Sequence, residues 1–331
     1  MSGRDTDGRD LSSRDLDECV IALDVGGTSM KGALLDRGMR SLETIRRPTP
    51  RADGTEAVVD AITSALDTLA RRAADQGLTV RRAGVVVPGI VDERRARAVY
   101  SANLGWRDLP LADLLEARTG LPVTLGHDVR AGGYAESVLG AARDARDVLF
   151  VAVGTGVSGA LVLDGVAVSA GGYAGEVGHV VVDPDGPPCP CGGRGCLETL
   201  ASAASIATRF TARSGRAVAG AQEVAALLTE GDADAWAVWD EATEAFAVAF
   251  AIATTLLGPE LIVLGGGLAE AGDLLTTRIR ARLAERLTFQ RRPAVVVARL
   301  GDRAGCLGAG LYAWQAVDGA PSSPPVGAAQ G

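Results

Sequence analysis

The sequence predicts an α/β fold made of two similar lobes. Short apolar runs typical of buried strands alternate with longer stretches whose apolar residues recur at helical spacing. A segment of the chain also recurs, in a related form, 127 residues further along. The chain has 331 residues, which is enough for two domains at roughly 100–200 residues each.

The first half of the chain predicts a hairpin, a helix and a further strand, in that order. Residues 20–23 form a short apolar run and residues 32–35 form another after a glycine turn, which predicts two paired strands. Between residues 55 and 76 the apolar side chains recur at helical spacing, and Gly77 ends the helix. Residues 85–87 predict a strand that stops at a Pro-Gly turn.

The second half continues this alternation. Further strands are predicted at residues 149–153, 161–163 and 261–264. An alanine-rich stretch at residues 236–257 predicts the helix before the last of them. Strand and helix therefore alternate along the chain, as in α/β proteins.

The repeated segment reads LDVGGTSMKGAL at residues 23–34 and FVAVGTGVSGAL at residues 150–161. The identical positions are Gly27/Gly154, Thr28/Thr155, Gly32/Gly159, Ala33/Ala160 and Leu34/Leu161. Because the period is as long as a domain, the repeat predicts two similar domains that each open with a strand, a Gly-Thr turn and a strand. Two such lobes would hold a ligand between their turns, since clefts between domains are favoured ligand sites.

Composition and charge argue against several classes of protein. The net charge of -8 and the pI near 5.0 disfavour a nucleic-acid or membrane partner, which would call for a basic face. No apolar run approaches the ~20 residues that span a bilayer. Residues 1–18 alternate acidic and basic side chains and contain no apolar segment of the kind found in signal peptides. We therefore expect a cytoplasmic protein, with disordered tails at residues 1–19 and 318–331.

Four side chains in one stretch have the chemistry of a zinc site. Cys189, Cys191 and Cys196 are closely spaced, and His179 precedes them in the run Glu-Val-Gly-His. One imidazole and three thiolates form the tetrahedral set that Zn²⁺ prefers, and four protein ligands close the coordination sphere. A disulfide is disfavoured in the cytoplasm. The stretch therefore predicts a structural zinc ion.

Two glycine turns have the features of phosphate-binding loops. They consist of Gly26, Gly27 and Thr28 and of Gly154, Thr155 and Gly156. Glycine lets backbone N–H groups approach an anion, and the threonine hydroxyl adds a donor. Asp24, beside the first turn, is a candidate Mg²⁺ ligand, and Lys31 is a candidate phosphate contact. The alternative is that both are hairpin turns in which glycine only supplies a positive φ; the presence of one turn in each lobe favours nucleotide phosphate.

A third glycine element follows the strand predicted at residues 261–264. Gly265 and Gly266 leave room for a flat ring to lie against the backbone. The element suits an adenosine pocket, although an ordinary loop has the same sequence pattern.

Two polar residues are candidates for contact with a substrate. Asp128 lies where a strand at residues 123–125 runs into a helix at residues 131–136, and such a carboxylate can accept the proton of a substrate hydroxyl. Its alternative role is that of a helix N-cap. Asn103 can pair two sugar hydroxyls; its alternative is an Asx-turn with Trp106 packed beneath it.

Taken together, these motifs resemble those of the ROK sugar kinases, within the actin-like and hexokinase-like superfamily. The resemblance extends from Val20 to Ala316. Its most specific part is the combination of GEVGHV at 175–180 with CPCGGRGCLE at 189–198. The other matching elements are DVGGT at 24–28, PGIVD at 88–92, ANLGW at 102–106, HDVRAGGYAE at 127–136, VGTGVSG at 153–159 and GPELIVLGGGLAEAG at 258–272.

The resemblance implies a fold and an activity. The fold is two actin-like (ribonuclease H-like) lobes with an interlobe cleft and a zinc-binding loop. The small lobe would take residues 20–146 and 303–317, and the large lobe residues 147–302. The activity is ATP- and Mg²⁺-dependent phosphorylation of a hexose, usually glucose, at its 6-hydroxyl. A homodimer or homotetramer is the expected assembly.

The resemblance also implies roles for individual residues. Asp128 becomes the general base on the attacking hydroxyl. The partners of the sugar hydroxyls become Asn103, His127, Glu176, His179 and Glu198. The two Gly-Thr turns, with Asp24 and Lys31, hold the phosphates and Mg²⁺, while Gly265 and Gly266 flank the adenosine. His179 would then use one ring nitrogen for zinc and the other for sugar.

Three residues depart from the pattern of the family. His127 and Arg130 stand where many relatives have Asn, and Ser158 replaces a usual glycine of the second turn. They leave N-acetylmannosamine, N-acetylglucosamine and mannose as alternatives to glucose. Polyphosphate is an alternative donor.

Two alternatives to an enzyme follow from the same family. One is a non-catalytic sugar-sensing protein. The other is a DNA-binding repressor, which is disfavoured because about 20 residues with no basic patch precede the first strand. No role is predicted for Cys19 or Cys306.

Overall fold

The computed structural model describes residues 17–319, and within this range the fold is α/β, as expected. Most of the two predicted tails lies outside the described residues, at 1–16 and 320–331. The described chain divides into two compact units. Unit 1 comprises residues 17–135, 169–173 and 303–319, and unit 2 comprises residues 136–168 and 174–302.

Unit 1 contains a mixed five-stranded sheet. The strands of unit 1 are β1 (Glu18–Val25), β2 (Ser29–Leu35), β3 (Ser41–Pro48), β4 (Thr79–Val87), β5 (Ile90–Asp92), β6 (Arg97–Ser101), β7 (Trp106–Leu109) and β8 (Val123–His127). The helices are α1 (Thr55–Asp75), α2 (Leu111–Thr119) and α3 (Asp128–Leu139), of which α3 continues past the boundary of the unit. The sheet order is β3-β2-β1-β4-β8, with β2 antiparallel and β4 parallel to β1. Strands β5 to β7 form a separate antiparallel sheet that the sequence pattern does not predict.

Unit 2 contains a second five-stranded sheet. Its strands are β9 (Val148–Val153), β10 (Val157–Leu163), β11 (Val166–Val168), β12 (Leu261–Gly265) and β13 (Ala294–Val297). Its helices are α4 (Leu197–Ala201), α5 (Ala203–Ser214), α6 (Ala221–Thr229), α7 (Ala233–Leu257) and α8 (Asp273–Arg286). The sheet order is β11-β10-β9-β12-β13, with β10 antiparallel and β12 parallel to β9. The chain then returns to unit 1 in α9 (Ala304–Val317).

The two faces of the sheet in unit 1 are covered by different helices. On one face, Ile21 and Leu23 of β1 share a buried core with Ile62 and Leu66 of α1. Side chains two residues apart in a strand share one face of the sheet, and side chains four residues apart share one face of a helix, so these two pairs can face each other. Ala22 points to the opposite face, where α9 packs closely. A Cβ at Gly84 of β4, for example, would lie 1.9 Å from the carbonyl oxygen of Ala309, which is why only glycine fits at this strand position.

Helix α7 forms the centre of the core in unit 2. Its side chains Trp239, Phe246 and Phe250 are fully buried. The carboxylate of Asp232 accepts a hydrogen bond from the N–H of Ala235 and so caps the first turn. Gly258, in the left-handed conformation, ends the helix. The helix predicted over residues 236–257 is therefore confirmed and begins one turn earlier.

Both copies of the sequence repeat form the predicted hairpin, and each contributes the central strand of its sheet and one neighbour. The registers differ by one residue. Val25 pairs with Met30, so that four residues form the turn, whereas Val153 pairs with Val157, so that three residues do. The repeat thus predicts the topology of both units, but not the geometry of the two turns.

The described residues extend slightly into both predicted tails. Strand β1 begins at Glu18, inside the first predicted tail. Asp318, in the second predicted tail, forms an ion pair of 2.8 Å with Arg37. Between residues 17 and 319, no helix has both the length and the apolar character needed to cross a membrane.

Candidate active site

The first Gly-Thr turn of unit 1 is held from the side by Thr49. The hydroxyl of Thr49 donates to the carbonyl of Gly26 (2.7 Å), and its N–H donates to the carbonyl of Thr28 (3.0 Å). The side chain of Thr28 is exposed. A Cβ at Gly27 would meet no atom closer than the Cβ of Asn103, at 3.8 Å. The turn predicted to bind phosphate and the amide predicted to bind sugar therefore lie side by side.

Backbone conformation does not explain the glycines of the two turns. Neither Gly27 nor Gly154 has a positive φ. Gly154 has no atom within 4 Å of the position a Cβ would take, so packing does not require glycine there either. The missing side chain lets an anion approach the backbone of each turn, although the N–H of Gly154 itself donates to the carbonyl of Gly156 at 2.9 Å. The observation disfavours the alternative in which these glycines only supply a positive φ.

Asp24 lies near the end of β1, on the face covered by α9. It is the cross-strand partner of Lys31 on β2. A Cβ at Gly305, in the first turn of α9, would lie 2.6 Å from the carboxylate of Asp24. The partial positive charge at the N-terminus of a helix favours a carboxylate in this position. Burial, together with the charge of Asp24, raises the pKa of the Cys306 thiol to about 12, so this cysteine is protonated at neutral pH.

Asp128 is the first residue of α3, and its neighbour His127 is the N-cap. Nδ1 of His127 accepts a hydrogen bond from the N–H of Arg130 at 3.2 Å, which is the contact of an N-cap side chain with the third helical residue. The Asp128 side chain is 23% exposed, and its Oδ1 accepts from the N–H of the adjacent Val129. The alternative in which Asp128 acts as the N-cap is therefore wrong. His127 caps the helix because its ring nitrogen offers an acceptor.

The hydrogen bond to His127 also determines its tautomer. Because Nδ1 is an acceptor, the proton of the neutral ring belongs on Nε2. Nε2 lies 3.5 Å from Oδ1 of Asp128. The ring therefore presents an N–H toward the carboxylate that the sequence predicts to be the general base.

A buried ion pair supports this part of the chain. Arg130 has only 1% of its side chain exposed, and its Nε lies 3.0 Å from Oε1 of Glu93. The same oxygen accepts a hydrogen bond from the N–H of His127 (3.2 Å). Glu93 is a site residue that the sequence reasoning missed. Its position directly after the PGIVD motif is the one signal that could have found it.

Asn103 lies in the loop between β6 and β7 and is exposed. The turn is closed by Ser101, whose hydroxyl oxygen accepts a hydrogen bond from the N–H of Leu104 at 3.3 Å. The predicted Asx-turn is therefore a serine turn. Trp106 is buried below it, as expected. With its backbone fixed by Ser101, the amide of Asn103 is available for a ligand.

The second Gly-Thr turn, in unit 2, is held by the segment around α4. Oε2 of Glu198 accepts a hydrogen bond from the N–H of Val157 at 2.8 Å. The N–H of Ala203 donates to the carbonyl of Gly154 at 2.9 Å. Thr155 is exposed, as Thr28 is in the first turn. Ser158 pairs with Ala152 in the regular ladder between β9 and β10, and its φ is not positive, so serine is accommodated there without strain.

The third glycine element adjoins the second Gly-Thr turn. Gly266 has φ +79°, and a Cβ there would lie 2.4 Å from the carbonyl oxygen of Val153, so glycine is required. A cavity of about 230 Å³ opens beside this element. Its lining comprises Ala221, Gln222, Ala225, Trp239, Gly267, Leu268, Glu270 and Ala271. The cavity combines an apolar lining with an amide and a carboxylate, as expected of a pocket for a polar ring.

The four predicted metal ligands form one cluster. The ligand atoms of His179, Cys189, Cys191 and Cys196 all lie within 4.8 Å of one another. Nδ1 of His179 is 3.7 Å from Sγ of Cys189, and the sulfurs of Cys191 and Cys196 are also 3.7 Å apart. A tetrahedron with metal–sulfur bonds of about 2.3 Å has sulfur–sulfur edges of about 3.8 Å. The donor set and its spacing therefore fit a tetrahedral metal ion.

The charges of the sulfurs point to the same conclusion. Burial raises the pKa of Cys196 to about 12, so a thiolate at this position needs a cation beside it. The pKa of Cys191 is lowered, first of all because the N–H of Gly193 points at its sulfur from 3.4 Å. A cation at the cluster would therefore favour the thiolate form of Cys196.

Of the two remaining predicted sugar partners, Glu176 precedes the short helical turn Val177–His179 and His179 is its last residue; both are exposed. Nδ1 of His179 faces Cys189, so Nε2 is the ring nitrogen that does not face this sulfur. Unit 1 thus contains Asp24, the first turn, Asn103, His127 and Asp128. Unit 2 contains the second turn, the third glycine element, the metal cluster, Glu176 and Glu198.

Comparison with known proteins identifies the family. The model of the ROK family matches residues 20–316 of this chain. A glucokinase from Halalkalibacterium halodurans is 33% identical over 317 residues, covering 89% of this chain and 94% of that protein. An N-acetylmannosamine kinase from Citrobacter koseri is 32% identical over 296 residues, covering 89% of this chain and 98% of that protein. A ROK family glucokinase from Streptomyces griseus, solved in complex with glucose and AMPPNP, aligns with a TM-score of 0.77 at 30% identity, covering 90% of this chain and 99% of that one. The chain therefore belongs to the ROK family.

Proposed function

We propose that this protein is a sugar kinase that transfers the terminal phosphoryl group of ATP to the 6-hydroxyl of a hexose, with glucose as the first candidate. The observation that carries the proposal is the sheet order of unit 1. Strands β1, β4 and β8 are parallel neighbours, so Asp24 near the end of β1 and Asp128 just after β8 share the same edge of the sheet. Ligands of α/β proteins bind at this edge. Two strand spacings, roughly 10 Å, separate β1 from β8 along this edge.

Asp128 is proposed as the general base. Its carboxylate accepts the proton of the sugar hydroxyl while that oxygen bonds to the phosphorus and the bond from phosphorus to the leaving oxygen of ADP breaks. Oδ1 already accepts the N–H of Val129 at 2.7 Å and lies 3.5 Å from Nε2 of His127, so Oδ2 is proposed as the oxygen that receives the proton. The ion pair of Arg130 with Glu93 fixes His127 and, through it, the carboxylate.

The nucleotide is proposed to bind to both glycine turns. The turns Gly26, Gly27 and Thr28 and Gly154, Thr155 and Gly156 would contact its phosphates through backbone N–H groups and threonine hydroxyls, with Lys31 as a further contact. Asp24 would hold Mg²⁺, since a carboxylate is the ligand that this ion prefers. When bound, Mg²⁺ neutralises charge on the phosphates. Gly265 and Gly266 would flank the adenosine next to the cavity of about 230 Å³.

The sugar is proposed to contact Asn103, His127, Glu176, His179 and Glu198. The His-Cys₃ cluster would hold Zn²⁺, because its donor set and spacing match those of four-coordinate structural zinc. Zinc supplies a fixed orientation for the ring of His179, whose other nitrogen can then bind a hydroxyl. N-acetylmannosamine is an alternative substrate, since an N-acetylmannosamine kinase is 32% identical to this chain and a glucokinase 33%. We expect a homodimer or homotetramer in the cytoplasm.

A coupled assay tests this proposal. Purified protein with Mg²⁺ is offered ATP or polyphosphate and a panel of glucose, mannose, N-acetylglucosamine and N-acetylmannosamine. We expect ATP-dependent formation of a sugar 6-phosphate with at least one of them. In Asp128→Asn the turnover should fall by roughly 10²- to 10⁴-fold, the usual contribution of a general base.

The matched control is Asp113→Asn, because Asp113 is also an aspartate in the first turn of a helix of unit 1, but it is exposed. It should leave the turnover unchanged. Near-normal turnover in Asp128→Asn would refute the assignment of the base. A lack of phosphorylation with every sugar would favour the non-catalytic sugar-sensing alternative.

A further inference from the structure

The second Gly-Thr turn is packed against both flanks of the metal cluster. The upstream flank is the segment Gly175 to Gly178, which lies directly on β10. The N–H of Gly159 donates to the carbonyl of Gly175 at 2.7 Å. A Cβ at Gly178 would lie 2.0 Å from the carbonyl oxygen of Val157. The backbone of this flank therefore contacts the backbone of β10, the strand that follows the turn.

The downstream flank holds the turn itself. Glu198 accepts the N–H of Val157, the first residue after the turn, and a Cβ at Gly156 would lie 2.5 Å from the same carboxylate oxygen. Ala203 donates its N–H to the carbonyl of Gly154, the first residue of the turn. The two ends of the turn are thus fixed by one short stretch of chain.

The metal ligands join these two flanks. His179 follows Gly178 in the upstream flank, and Cys196 lies two residues before Glu198 in the downstream flank. Between them, the N–H of Leu197 donates to the carbonyl of Val180 at 2.9 Å. A metal ion bound to His179 and Cys196 would add a second, stronger link between the same two segments.

We propose that metal binding at the His-Cys₃ cluster and nucleotide binding at the second Gly-Thr turn are thermodynamically coupled, with Glu198 as the positioning residue that connects them. The metal fixes the two flanks, Glu198 and Gly178 then fix the turn, and an ordered turn binds phosphate without a further loss of entropy. Coupling of this kind is reciprocal, so the nucleotide also strengthens the retention of the metal. The part concerning nucleotide rests on the proposed function.

The first experiment compares metal-loaded with metal-stripped protein without sugar, because Glu198 is also a candidate sugar partner. Hydrogen exchange of the amides in residues 154–157 is measured in both forms. Removal of the metal should accelerate exchange there, while the amides of the first turn, in unit 1, should not change. Equal exchange at residues 154–157 in both forms would overturn the proposal.

The second experiment measures binding of AMPPNP with MgCl₂ by calorimetry. We expect roughly tenfold weaker binding after removal of the metal, within the usual range of coupling between sites, and recovery after zinc is returned. Conversely, AMPPNP should slow the transfer of the metal to a chelator. Unchanged affinity and an unchanged transfer rate would contradict the coupling.

Variants at Glu198 test the connection in metal-loaded protein. Glu198→Ala removes the acceptor for the Val157 N–H and should reproduce most of the loss of AMPPNP affinity, whereas Glu198→Gln retains an acceptor and should restore it. The matched control is Glu285→Gln at an exposed position of α8. Equal affinity of Glu198→Ala and the wild type would exclude Glu198 as the connection, and loss of metal from the alanine variant would show the connection directly.

The two proposals fail in different ways. If metal-loaded protein binds no AMPPNP, the nucleotide part of the proposed function is wrong, and the proposed coupling to nucleotide is wrong with it. If AMPPNP binds equally with and without metal, the proposed function stands and the coupling is wrong.

Discussion

The central hairpins of the two units show how one framework supports two kinds of chemistry. In unit 1 the repeat places Asp24 near the end of the central strand, opposite Lys31. The equivalent positions in unit 2 are Val151, which is fully buried, and Ser158. Unit 1 therefore provides charged groups at its strand ends, whereas unit 2 provides a glycine turn without charged side chains and the His-Cys₃ cluster. The repeat thus preserves strand order, while the residues at the strand ends determine the chemistry.

The turns of the two hairpins also differ in what supports them. In unit 1, Thr49 holds the turn, and it follows the strand β3 that neighbours the hairpin. In unit 2, Glu198 and Ala203 hold the turn, and both belong to the segment that follows the metal ligands. The support of the first turn is thus independent of any metal. Perturbations of the His-Cys₃ cluster should therefore affect unit 2 alone.

The largest effect is expected from loss of Cys196, a buried member of the proposed zinc site. Cys196→Ser should destabilise unit 2 by roughly 5 kcal/mol or more, because structural zinc contributes about 10–16 kcal/mol to the folding of small zinc-binding peptides. Unit 1 should keep its stability. Hydrogen exchange in increasing urea, resolved by peptide, measures the two units separately.

Cys306→Ser is the matched control in unit 1, since a serine hydroxyl can still donate to the carbonyl of Ala22, as the thiol does. It should alter neither unit by more than about 1–2 kcal/mol. Equal destabilisation of both units by Cys196→Ser would show that the cluster does not act on unit 2 alone.

A smaller effect, confined to unit 1, is expected from Arg130→Met. It leaves the carboxylate of Glu93 buried without its partner, and the loss of one member of a buried pair costs about 3–5 kcal/mol. The double variant with Glu93→Gln should recover much of this loss, because no uncompensated charge remains. Urea unfolding of the single and double variants measures both effects. A double variant no more stable than the single one would mean that the ion pair is not the source of the loss.

The smallest effect is a loss of stability of unit 1 at alkaline pH. Burial raises the pKa of Cys19 to about 11 and that of Cys306 to about 12, from an ordinary value of 9.0. As the pH rises above 9, the thiols ionise in the unfolded chain but not in the folded one, so stability falls until the pH reaches the folded values. The loss near pH 10 is on the order of 1 kcal/mol for each thiol.

Tyr312 adds to this loss of stability at alkaline pH, because burial first, and then the charge of Glu93, raise its pKa. Cys19→Ala should flatten the decline in stability between pH 9 and 11, and an unchanged slope would contradict this account. The hairpin of unit 2, residues 148–163, contains neither cysteine nor tyrosine and lacks this source of pH dependence.

The sequence predicted the features that depend on neighbouring residues. Both hairpins, α1 and the α7 helix follow from local apolar periodicity, and the metal cluster follows from ligands that are close in the chain. The pairing of Glu93 with Arg130, and that of Glu198 with Val157, could not be predicted, because each joins distant segments and depends on which strands become neighbours. Helix capping by His127 was missed because histidine is not among the usual N-cap residues.

Helix α9 has a consequence for how the chain is made. It covers one face of the sheet in unit 1, yet residues 128–303 separate it from β8, so at about 5–20 residues per second it begins to leave the ribosome roughly 9–35 s after that strand. Unit 2 is synthesised in this interval. Unit 1 is therefore the first to begin folding and the last to finish, and its nascent sheet, with the apolar side chains that α9 will cover, is the surface a chaperone would meet.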